Sequence, residues 1–95
     1  MDKKEEYRKK LEAQLKEWKT KIDELEARGA KLTTEAKTEL MKEIKELRQR
    51  KGLVKEKWNE LQKVSGDSWD TMKVGVEKAA SELKGAMERV ISRFK

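Results

Sequence analysis

Five cations stand close together in RQRKGLVKEK, residues 48–57: Arg48, Arg50, Lys51, Lys55 and Lys57, against a single Glu. Clustered cations bind polyanions by releasing counterions, so nucleic acid, polyphosphate or acidic lipid would be the ligands of such a run. Helical spacing divides it, with Arg48, Lys51 and Lys55 on one side and Arg50 and Lys57 on another. No Asn, Ser or aromatic residue is interleaved to read a base or stack on it. A solvated helix surface is the simpler reading, and nucleic acid ranks last among the binding classes.

Other reactive groups are few. The chain has no histidine and no cysteine, so the commonest general base, the thiolate nucleophile and the usual transition-metal ligands are missing. Ser65, Ser68, Ser81 and Ser92 have no imidazole to activate them. Asp67 and Asp70 lie close together, but calcium-loop spacing and any Glu-x-x-His pair are lacking. The sequence therefore predicts no enzyme, no catalytic residue, no metal, no cofactor and no small-molecule substrate. Trp18, Trp58 and Trp69 would suit a stacking platform, yet all three fall on apolar seams, where aromatic side chains supply core area.

The most amphipathic stretch is WDTMKVGVEKAASELKGAMERVISRFK, residues 69–95. Trp69, Met72, Val76, Leu83, Met87, Val90 and Phe94 form a stripe flanked by lysines and closed by Arg89, Arg93 and Lys95. Such a face could lie on an anionic membrane surface or against a partner. Gly75, Ala79 and Ala86 make part of it small, which suits close helix–helix packing better than lipid.

These groups need scaffolds, and the pattern behind them is helical throughout. Tyr7, Leu11, Leu15, Trp18, Ile22 and Leu25 step by three or four. So do Ala36, Leu40, Ile44 and Leu47, then Val54, Trp58 and Leu61, with a gap at Lys51 beside Gly52. No stretch alternates with period two. Ninety-five residues make one domain, residues 1–95, in which 46% of residues are charged and 35% apolar. The net charge of +6 is small beside 25 basic and 19 acidic side chains, and regular seams argue against disorder. The absence of proline leaves every position open to helix. No apolar run approaches membrane-spanning length, and the N-terminus has no hydrophobic signal region. A soluble cytoplasmic protein is the expectation.

Two breaks divide the chain. In SGDSWD, residues 65–70, Gly66 suits a helix stop, Asp67 a helix cap, and Asp70 the first turn of the next helix. In RGAKLTTEA, residues 28–36, Gly29 is a stop and Thr33 or Thr34 a start. Gly52 reads as a tolerated interior glycine. Helices are predicted near residues 4–28, 34–64 and 68–94, with joints near 29–33 and 65–67. Similar lengths and short joints predict an antiparallel three-helix bundle, all-α, with Tyr7, Trp58 and Trp69 gathered at one end. The alternative is a long-helix coiled coil in which the first two stretches form one helix of about 60 residues, around 90 Å long. Such a rod would bury its seam only by oligomerising.

The segments KKEEYRKKLEAQLKEW, IDELEA and ELRQR, followed by SGDSWDTMKVGVEKAASEL and the ending SRFK, resemble a family of small bacterial coiled-coil proteins of about this length. That family is often linked to stress responses, by an unknown mechanism. The resemblance spans nearly the whole chain, and its most specific parts are the Gly-Asp-x-Trp joint, the GVEKA after it and the SRFK terminus. Residues 28–34 are more loop-like and residues 48–57 more basic than the family pattern. The resemblance implies a helical fold and a bacterial cytoplasmic setting, and it carries over no site residue. The functional expectation is a non-catalytic helical interaction protein acting through a protein partner or self-association. An amphipathic membrane-surface or stress-protective role through residues 69–94 is the alternative. Weak nucleic-acid association through residues 48–57 comes third.

Overall fold

A computed structural model describes residues 3–94; Met1, Asp2 and Lys95 lie outside the described residues. Three α-helices, α1 (Lys3–Arg28), α2 (Thr34–Leu61) and α3 (Asp67–Arg93), fold into an up-down-up bundle. Among the described residues there is no strand. The longest dimension is 52 Å, well short of the ~90 Å rod that a fused α1–α2 helix would form. The chain turns between those two helices, and the bundle is the fold.

The first turn is a single 3-10 helix, Gly29–Lys31, followed by Thr33 in extended conformation. The Thr33 hydroxyl oxygen accepts a hydrogen bond from the Ala36 amide at 3.3 Å, which satisfies one of the donors left open at a helix start. Gly29 is buried against α2, where an added Cβ would lie 3.5 Å from Leu40 Cδ2.

The second joint departs from expectation in two ways. Helix α2 ends at Leu61 rather than 64, because Lys63 and Val64 bond back to the carbonyls of Glu60 and Leu61 in three-residue turns. Apolar periodicity runs on through Val64, but backbone geometry does not. Gly66 also does not close α2. It stands immediately before α3 with φ 67° and ψ −141°, and Asp67 is already helical, so the expected aspartate cap is replaced by a glycine whose backbone makes the turn. Asp67 and Asp70 both lie in the first turn of α3, where negative charge complements the helix dipole.

The core is wholly apolar; among the described residues no polar or charged side chain is buried in it. Leu11, Trp18, Ile22 and Leu25 of α1 meet Leu40, Ile44, Leu47, Val54, Trp58 and Leu61 of α2 and the stripe of α3. Each large side chain so buried contributes roughly 1.5–3 kcal/mol. Tyr7 packs against Trp58 with ring centroids 5.9 Å apart and edge-on against Trp69 at 5.8 Å, which ties all three helices at one end.

The three helix pairs are not equal. Helix α2 packs closely on α3 and less extensively on α1, while the parallel helices α1 and α3 scarcely approach each other's backbone. Arg48 reaches Asp23 at 3.1 Å and Glu26 at 2.9 Å across α1–α2. Arg93 reaches Glu39 at 3.0 Å and Glu43 at 3.7 Å across α2–α3. Exposed pairs of this kind are each worth less than about 1 kcal/mol, so they refine the offset of the helices more than they hold them together.

Candidate functional site

The helix divides the basic run 48–57 between faces, as its spacing requires. Arg48 turns toward α1, where Glu26 and Asp23 keep its guanidinium firmly charged. Asp23 is correspondingly held below the usual carboxylate range, first by the Lys19 ammonium and then by Arg48. Arg50 turns toward α3 and bonds Glu46 at 3.0 Å. Lys51 is half-buried in the gap of the α2 seam, Lys55 is exposed and Lys57 half-buried. The five cations do not converge, and two of them are occupied by carboxylates.

The stripe of α3 is turned inward. Trp69, Val76, Leu83, Met87, Val90 and Phe94 are buried and Met72 is half-buried in the closed bundle. Among the described residues no helix is long and apolar enough to cross a membrane, and no group of three or more acidic side chains is placed to hold a metal ion.

What the sequence did not single out is the seam between α1 and α3. Because these helices stand apart, a groove runs between them in two connected sections of about 320 and 280 Å³. Trp18, Gln14 and Lys84 line both sections. Leu11, Ala80, Met87 and Ile91 supply the apolar floor, while Lys10, Lys21, Glu17, Glu77 and Glu88 form the rim. At its open end Lys73 lies 4.9 Å from the Tyr7 ring centroid and 5.4 Å from that of Trp69, within cation–π range. Burial raises the Tyr7 phenol to about 12, with the Glu77 carboxylate adding to the effect.

Protein-family models, curated proteins and solved structures offer no match to this chain.

A second groove, of about 270 Å³, opens between α2 and α3 and brings Arg50 together with Arg89 and Arg93. These arginines lie some forty residues apart in sequence, so linear spacing gave no signal of their meeting. Leu32 and Met41, the latter 41% exposed, line a wide trough beside the first turn among Lys37, Lys42 and Lys45. That trough is broad and open, and it gathers no convergent donors.

Proposed function

We propose that the protein is a non-catalytic helical interaction module that self-associates along the α1–α3 groove. The supporting observation is the groove's construction, an apolar floor under a rim of mixed sign. Lys10, Lys21 and Lys84 stand among Glu17, Glu77 and Glu88. A two-fold pairing presents the same surface on both subunits, so a rim with both signs can answer itself, lysine to glutamate. Ala80 and Ile91 are only half-buried, so they leave apolar surface in the groove for a second copy to cover. A stress-associated role in a bacterial cytoplasm belongs to this proposal on the strength of the family resemblance only.

Sedimentation velocity over a wide concentration range tests the reading. Mass should rise with concentration, and Ile91→Glu, a charge placed at the half-buried edge of the groove, should return the protein to a monomer with unchanged helix content. A wild-type chain that stays monomeric throughout, or an Ile91→Glu chain that associates as strongly, would remove the proposal.

The membrane-surface reading has one observation in its favour: α3 has the most apolar and most strongly segregated face of the three helices. It requires α3 to leave α2, its closest neighbour. Tryptophan emission that shifts on anionic vesicles would support it, and emission unmoved by lipid would discard it.

A further inference from the structure

The α2–α3 groove has unspent hydrogen-bond donors. The Arg50 Nε is buried and has no hydrogen-bond partner, although the same guanidinium donates to Glu46 from its other end. A buried N–H without an acceptor costs free energy that a bound oxygen would recover. Arg93 is engaged by Glu39 and Glu43. Arg89 lines the same groove, and among the described residues no carboxylate comes within ion-pair distance of it. Two arginines from different helices therefore line one space, and a ligand oxygen that draws the partly exposed Arg50 guanidinium outward gains its covered Nε–H.

The floor of that space is apolar, made by Leu47, Ala86 and Val90. The volume of about 270 Å³ admits a small organic molecule and little more. Charge decides among the anions. Three guanidinium groups and two carboxylates, Glu43 and Glu46, line the groove, so the excess is one positive charge. A monoanion matches it, whereas a phosphate dianion would meet Glu43 and Glu46 with a surplus of like charge. Arginine forks also fit a planar carboxylate, accepting two parallel N–H bonds.

We propose that the α2–α3 groove is a binding site for a small organic carboxylate, its oxygens between Arg50 Nε and the Arg89 guanidinium and its apolar part on Leu47, Ala86 and Val90. The site is separate from the α1–α3 groove and does not depend on self-association.

Benzoate serves as the probe in a heteronuclear NMR titration of the full chain that follows the arginine Nε–H signals as well as the backbone amides. The expected result is a saturable shift of the Arg50 Nε–H together with the Ala86 and Val90 amides. Benzyl alcohol, the neutral analogue, should produce none of it, and inorganic phosphate should bind at least tenfold more weakly than benzoate. Arg89→Gln should weaken benzoate at least tenfold. Arg50→Lys, which keeps the charge and removes the Nε fork, should do the same. Shifts that rise linearly and spread over the surface lysines would overturn the proposal, as would an Arg89→Gln chain that binds like the wild type. Phosphate binding as tightly as benzoate would overturn the assignment of a monoanion. Backbone spectra of both variants report whether the fold is retained, which is expected because neither side chain belongs to the apolar core.

Discussion

Tyr7 shows how a single side chain reads its surroundings. It is the only tyrosine in the chain, half-buried between Trp58 and Trp69 with Glu77 nearby, and both burial and that carboxylate disfavour the phenolate. In the unfolded chain the phenol titrates near its ordinary value of about 10. The folded state therefore holds the proton more tightly. Its stabilising share is complete below pH 10 and is lost as the pH rises toward about 12. Absorbance titration of the phenolate should give a midpoint near 12 in the native protein. Lysines titrate in the same window, so the stability change is isolated by comparison with Tyr7→Phe. The wild type should lose stability relative to that variant across this range, and parallel stability curves would refute the assignment.

At the scale of the elements, two glycines respond oppositely to the same substitution. Gly52 lies inside α2 with open space where a Cβ would go. Gly52→Ala should stabilise the fold by about 0.5–1 kcal/mol, the helix-propensity difference. Gly66 has the same open space but a φ of 67° with ψ −141°, a region essentially reserved for glycine. Gly66→Ala should destabilise by about 1–3 kcal/mol. Urea midpoints of the two variants, measured at equal m-value, check the opposing signs. The contrast also marks how far the sequence could be read. Gly52 was legible as an interior glycine because no capping residue adjoins it, and a start at Thr33 or Thr34 was legible because hydroxyls precede a seam; the choice of Thr33 came from the backbone. The three seams and the gathering of Tyr7, Trp58 and Trp69 followed from 3-4 spacing and equal helix lengths. The exact role of Gly66 was not legible, since composition marks a break without saying which backbone angles make it. The two grooves were hidden for another reason. The α1–α3 gap is a property of how three cylinders settle, and the meeting of Arg50 with Arg89 depends on the offset between α2 and α3, which no local pattern encodes.

For the whole molecule, the unequal packing divides the bundle into a close α2–α3 pair and a first helix held chiefly by α2. Local stability follows the apolar contacts an element makes. Amide exchange under native conditions should accordingly be fastest in α1, with the interior amides of α2 and α3 opening together at a higher free energy. Uniform protection across all three helices would show instead that the bundle opens only as a unit.

The aromatic cluster at the end of the bundle has an optical consequence. A lone tyrosine with ring centroids 5.9 and 5.8 Å from two indoles gives up its excitation to them before it can emit. The closed protein is thus silent in the tyrosine band, and a swing of α1 away from its neighbours would switch that emission on. The chain has its own built-in proximity gauge, which reports the docking of its first helix without any attached label.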